Sequence, residues 1–149
     1  MHILQATPAH LEETSYLFDA YRQFYGQAPD HSAATRFIAE RLTKADSVIF
    51  LARNEMGESI GFTQLYPAFS SVAMKRMWYL NDLYVVESAR QQGVARALLK
   101  RVASFAKETN ALTVKLSEIN VHIQFVINNT PKGTAIKAMV NILNTTITG

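Results

Sequence analysis

The 149-residue sequence predicts a mixed α/β domain of the α+β kind, in which a central, mostly antiparallel sheet is flanked by helices on both faces. Three observations carry this expectation. Ser47–Arg53 and Ser59–Tyr66 are β-prone runs joined by Asn54-Glu-Met-Gly57, a turn sequence that makes antiparallel pairing the economical reading. Arg76–Val86 is a longer β-prone run, dense in apolar residues on both faces, as a central strand must be. Stretches with helical spacing stand before and after these strands.

Each element has its own signal. Ile3–Ala6 is a short apolar run, and Thr7-Pro8 then supplies an N-cap hydroxyl followed by proline at the first helical position. From there Leu11, Tyr16 (or Ser15), Phe18, Tyr21, Arg22 and Tyr25 recur at helical spacing until Gly26 and Pro29 stop the pattern. A second helix is expected from a cap at Ser32, with Phe37, Ile38, Arg41 and Leu42 on its inner face, ending before Asp46. Pro67 is expected to end the second strand, leaving Ala68–Lys75 as a loop that exposes Phe69, Val72 and Met74. Trp78 and Tyr79 are assigned to the core. Glu87–Ala89 leads out of the long strand into a strongly helical stretch from Gly93 to Lys107, with Val94, Leu98 (or Ala97), Val102 (or Arg101) and Phe105 on one stripe. Leu112–Leu116 reads as a further strand.

Composition narrows the function classes. Hydrophobic residues at 48% and charged residues at 18% exclude a disordered chain, and no apolar stretch approaches the ~20 residues that span a bilayer, so no membrane role is expected. The start of the chain lacks the basic and apolar pattern of a secretory signal and there is no cysteine, which points to the cytoplasm. A formal charge of +3 is too modest for the basic stripe of a nucleic-acid binder. Lys75, Arg76, Arg90, Arg96, Lys100 and Arg101 are instead expected to gather around one segment and attract an anionic ligand. His2, His10, His31 and His122 have no ligand spacing, so no metal site is expected.

That segment is Asn81–Leu99, a strand running into a tight turn and then a helix. The first turn of a helix has unpaired backbone N–H groups, and such a start attracts anions. Within Arg90-Gln91-Gln92-Gly93-Val94-Ala95, Gly93 has no side chain to hold a phosphate away from the backbone, and Ala95 is small enough for close approach. Arg90, Gly93 and Ala95 match the pattern Arg/Gln-x-x-Gly-x-Gly/Ala, and the segment resembles the core motif of the GNAT superfamily of acetyl-CoA-dependent N-acetyltransferases. The order of elements is similar too, over about residues 2–117 of a single domain spanning 1–149.

The resemblance implies a GNAT-like fold whose sheet contains a parallel pair that splays apart, with acetyl-CoA as cosubstrate. It implies that the diphosphate meets the backbone of Gln91, Gln92, Gly93, Val94, Ala95 and Arg96, with Arg90 and Arg96 as candidate charge-assisted donors, and that the pantetheine arm meets the main chain of Leu83, Tyr84 and Val85. An amine attacks the thioester directly in this family, so a carboxylate near the strand is expected to take the proton. Asp82 is the nearest candidate, as base or as ammonium anchor. In the similar spermidine/spermine acetyltransferases a glutamate stands at the position of Asn81, which cannot accept a proton. Strict alternation sets Asn81 and Asp82 on opposite faces of the strand. Tyr21 and Tyr25 lie where the family forms one wall of the acceptor site. The implied acceptor is a small amine, polyamine-like or amino-acid-like.

After Leu116 the pattern departs. The family continues with a helix carrying a tyrosine that protonates the departing thiolate, whereas Glu118–Ile127 alternates like a half-buried strand and Thr134–Leu143 has the spacing of a short helix. No tyrosine follows Tyr84, and two readings account for this, a true variant with its own packing or a shifted reading frame of an ordinary family ending. A tail of this kind leaves a sheet edge that a homodimer would cover.

Overall fold

The computed structural model describes residues 1–116; the expectations for 118–149, including the tail strand, the tail helix and the edge covered by a second copy, lie outside the described residues. The elements are β1 (His2–Gln5), α1 (Leu11–Phe24), α2 (His31–Lys44), β2 (Val48–Arg53), β3 (Ser59–Ser70), β4 (Lys75–Val85), α3 (Val94–Glu108) and β5 (Val114–Leu116). The strands form one sheet in the order β1-β2-β3-β4-β5, antiparallel throughout except for the parallel pair β4–β5. Among the described residues no helix is long and apolar enough to cross a membrane.

Alternation along β2 builds a core on each face of the sheet. Phe50 and Ala52 pack with Leu98, Leu99, Val102 and Ala103 of α3. Ile49 and Leu51 pack on the other face with Leu17 of α1, Ile38 of α2 and Phe62. Removing side chains as large and as fully buried as Phe50 or Phe62 from water is worth about 2–3 kcal/mol each, so the two faces hold the helices in place.

Local chemistry sets the helix boundaries. Thr7 and His10 form a capping box around a single 3-10 turn, Pro8–His10, and α1 continues from it. Its inward residues are Thr14, Ser15, Leu17 and Asp19, while Tyr16 is 70% exposed, so of the two alternatives for that stripe the structure selects Ser15. The cap of α2 is Asp30 and not Ser32: the Asp30 carboxylate accepts from the Ala33 amide at 3.0 Å. Tyr79 is not core but 36% exposed, whereas Trp78 is buried and donates its indole N–H to Thr109 Oγ1 at 2.9 Å.

Pro67 does not end β3, which runs on to Ser70 with Pro67 opposite Trp78. Neighbouring bonds give the reason. The Trp78 amide donates to Thr113, away from β3, so Pro67 and Trp78 form a pair with no bonds between them. The missing N–H of Pro67 therefore points to the opposite edge of β3, where β2 has already stopped at its pair Val48–Leu65. The expected gathering of cations also fails. β4 is eleven residues long, so Lys75 and Arg76 lie roughly 30 Å from its far end. Arg101 pairs with Glu108 and lies over the Phe50 ring, which leaves Arg96 and Lys100 on the solvent side of α3.

Gly61 joins the two halves of the structure. A Cβ there would sit 2.9 Å from the Tyr84 carbonyl oxygen and 3.3 Å from Val94 Cγ1, so only glycine lets β3 approach β4 and the start of α3 this closely. Gly61→Ala is expected to destabilise the protein by about 1–3 kcal/mol, read as a fall in the urea midpoint at unchanged slope.

Candidate active site

The site is organised by an irregularity in β4. Gln64 of β3 faces Asp82 while Leu65 faces Leu80, so the register skips Asn81, an extra residue in β4 that makes a β-bulge. The bulge changes the parity of the strand. Trp78 and Leu80 before it, and Leu83 and Val85 after it, all join the core under α3, while Tyr84 packs against α1. The expectation that Asn81 and Asp82 face opposite ways is thereby overturned: both line one cavity, and Asn81 Nδ2 donates to Asp82 Oδ1 at 3.2 Å.

That cavity, about 330 Å³, lies between α1, α2 and β4. Its wall holds five aromatic rings, Phe18, Tyr21, Tyr25, Phe37 and Tyr66, with Arg22, Gln27, Asn81 and Asp82. The rings brace one another: Phe18 stacks on Phe37 at 5.2 Å, and Tyr21 meets Tyr25 edge-on at 5.1 Å. Asp82 is 6% exposed and its carboxylate also accepts from Gln64 Nε2 at 2.9 Å on Oδ2, while its backbone carbonyl accepts from Thr63 Oγ1 at 2.8 Å. No Lys, Arg or His lies within ion-pair distance of it among the described residues.

The phenols respond to this carboxylate. Burial, then the charge of Asp82 and a hydrogen bond with it, hold the Tyr21 hydroxyl far above the usual phenol range. Burial, with Asp82 adding to it, pushes Tyr66 up to about 12. Both phenols therefore stay protonated near neutral pH and are able to donate, and among the described residues the anion of the cavity wall is Asp82.

Sequence reasoning missed the two groups that hold this cavity in shape. Asp19, 6% exposed, accepts from Arg22 Nη1 at 2.7 Å, from Gln23 Nε2 at 3.3 Å and from the Asp30 amide at 3.1 and 3.3 Å, which ties the end of α1 to the start of α2. Gln64 was read only as a strand residue. A glutamine between Phe62 and Leu65 in a buried strand is the available signal, since a buried amide needs partners.

The second half of the site lies at the end of β4. β5 pairs only with Trp78–Leu80, so beyond Leu80 that edge of β4 has no strand beside it among the described residues. The Val86 amide donates to Ile60 of β3, and alternation then directs the peptide groups of Tyr84 at β3 and those of Leu83 and Val85 at the uncovered edge. The turn that follows holds Gln91 at φ 63° and Gly93 at φ 82°, and α3 begins at Val94 with no side chain capping its first turn. A Cβ at Gly93 would meet nothing within 4 Å, so the space beside the turn is open. Gln92 is turned back, donating from Nε2 to the Ser88 carbonyl at 3.2 Å. Arg90 is turned inward: Nε donates to the Val85 carbonyl at 2.9 Å and the guanidinium lies over the Phe24 and Tyr84 rings. Its side chain braces the turn, and Arg96, exposed on α3, is the arginine that faces outward. Uncapped amides, a left-handed glycine and an uncovered strand edge fit an extended ligand that ends in a diphosphate. Among the described residues no group of three His, Cys, Asp or Glu could hold a metal ion.

Comparison with known proteins agrees with this geometry. Residues 14–124 match the acetyltransferase (GNAT) family model. Over 116 residues the chain is 46% identical to the "Uncharacterized N-acetyltransferase YhfO" of Bacillus subtilis, covering 78% of this chain and 77% of that one. Over 120 residues it is 33% identical to a "Probable acetyltransferase" of Haemophilus influenzae, covering 79% and 82%. The crystal structure of a "probable acetyltransferase" superposes with a TM-score of 0.82 at 38% identity, over 93% of this chain and 88% of that one.

Proposed function

The chain belongs to the acetyltransferase (GNAT) family, and on that premise we propose that it transfers the acetyl group of acetyl-CoA to the primary amine of a small molecule by direct attack. The observation that carries the reading of the acceptor is the Asp82 carboxylate, buried on the wall of an aromatic cavity with no cation paired to it among the described residues. A charge in that position is costly unless it is paired, and an incoming ammonium supplies the pair. The aromatic surface that lines the cavity favours a cation with an apolar body behind it.

Acetyl-CoA brings the activated thioester; the rest falls to the chain's own residues. Leu83 offers main-chain groups along the edge of β4 that no described strand covers, and the amides from Gln91 to Arg96 offer the anion site at the start of α3. Asp82 anchors the ammonium and takes its proton, so that a neutral nitrogen can attack. Holding the two reactants together supplies several kcal/mol of the barrier lowering by itself. Asn81 fixes Oδ1 of that carboxylate, and the Tyr21 and Tyr25 hydroxyls shape the acceptor wall.

The charge balance of the cavity favours one class of amine over another. A polyamine needs further anions for its further cations, and among the described residues this wall carries one carboxylate, Asp82, and one guanidinium, Arg22, already paired to Asp19. A single ammonium on an apolar or amino-acid-like body is the better fit. A thermal-shift screen with acetyl-CoA, followed by thiol release with phenethylamine, phenylalanine, putrescine and spermidine, tests this. Acetyl-CoA is expected to raise Tm, and the monoamine and amino acid to exceed the polyamines in kcat/KM. Tight acetyl-CoA binding with no amine-dependent thiol release would favour a non-catalytic acyl-CoA binder instead.

A further inference from the structure

Gln64 is fully buried in β3, directly opposite Asp82, and it makes a bond at each end of its amide. Nε2 donates to Asp82 Oδ2 at 2.9 Å, and Oε1 accepts from Ser47 Oγ at 2.9 Å. Chemistry fixes this orientation. With the amide reversed, Oε1 would face a carboxylate oxygen, two acceptors with no proton between them, so Nε2 must face Asp82. The Ser47 hydroxyl then holds the other end, since it can donate to Oε1.

We propose that Ser47 and Gln64 are positioning residues for acetyl transfer: a two-link relay from the start of β2 that holds one oxygen of Asp82 and leaves the carboxylate aimed into the acceptor cavity. The proposal rests on the reading of Asp82 as the acceptor-side carboxylate. The fold gives it a reason. A bulge interrupts the β3–β4 register beside the residue that carries the chemistry, so the regular ladder alone does not orient the carboxylate. Asn81 and Gln64 hold it, one on each oxygen, and the Tyr21 hydroxyl bonds to it from α1. Thr63, next to Gln64, fixes the Asp82 backbone in the same way, so two successive β3 side chains hold main chain and side chain of one residue.

The test is a double-mutant cycle on the full chain, with phenethylamine and acetyl-CoA as substrates. Gln64→Leu keeps the volume and removes the donor, and is expected to lower kcat/KM for phenethylamine about tenfold, as the loss of one hydrogen bond to a charged group does, with KM for acetyl-CoA unchanged. In an Asp82→Asn background the same change is expected to have no further effect, because the residue acts only through that carboxylate. Ser47→Ala, a milder change should Gln64→Leu fold poorly, is expected to lose several-fold in kcat/KM, and Ser47→Thr, which keeps the hydroxyl, to recover most of it. A loss from Gln64→Leu that is as large in the Asp82→Asn background overturns the proposal, as does full activity in both Gln64→Leu and Ser47→Ala. Asp82→Asn with undiminished turnover, or a parent protein that releases no thiol with phenethylamine, would instead overturn the reading of Asp82, and the relay with it.

Discussion

Asp82→Asn is expected to lower kcat/KM for the acceptor amine by about 10²–10⁴-fold while leaving the affinity for acetyl-CoA within about twofold of the parent. The size follows from two roles lost together. The amide cannot take a proton from the ammonium, and it no longer offers a negative charge to draw the ammonium in. The selectivity follows from the architecture: Asp82 lines the cavity beside α1 and α2, whereas Leu83, Val85 and the start of α3 lie beyond the bulge. Part of the loss is structural, because an Asn at 82 turns one donor toward Gln64 or Asn81, both of which already donate there. A thermal-shift titration with acetyl-CoA separates the two. An unchanged acetyl-CoA midpoint with lost turnover supports the catalytic role, and equal loss of both would place the effect in the fold.

Gly93→Val is expected to weaken acetyl-CoA binding by tenfold or more, with a smaller effect on folding. The position has open space around it, so no clash with the protein excludes a side chain; the backbone does. At φ 82° a β-branched residue is strained by roughly 1–3 kcal/mol, and the turn relieves the strain by swinging toward negative φ. That swing carries the amides of Gly93 and Val94 off their present direction, and at 1.4 kcal/mol per factor of ten the strain alone converts to about that loss in affinity. Isothermal titration with acetyl-CoA measures it. Parent-like affinity in a folded Gly93→Val protein would remove the turn from the binding site.

How the two variants differ in legibility is instructive. Gly93 was visible from the sequence because its role is local: a glycine three residues after an arginine, between a β-prone run and a helical one, can be read within a dozen residues. The same holds for the element order and for the parallel pair that the resemblance implied. Asp82 was visible as a candidate but not as a partner of Asn81. The period of two in a strand says that neighbours point apart, and the rule fails at a bulge, which depends on how Leu80 and Asp82 align with Leu65 and Gln64 on another strand.

What the sequence determined by itself is the family, the fold class and the position of the turn at Gly93, since each depends on contacts a few residues apart or on a motif. What only the tertiary structure decided is the shape and charge of the aromatic cavity. Tyr21, Tyr66, Gln64 and Asp82 come from α1, β3 and β4, and Asp19 sets the end of α1 through the Asp30 amide eleven residues away. Pro67 belongs with them, because its place inside β3 rests on where β2 stops and on which way the Trp78 amide points. Burial is the physical reason. A polar side chain taken out of water must find its partners wherever the fold brings them, and for Asp82 they stand on β3 and at the bulge, not along its own regular strand.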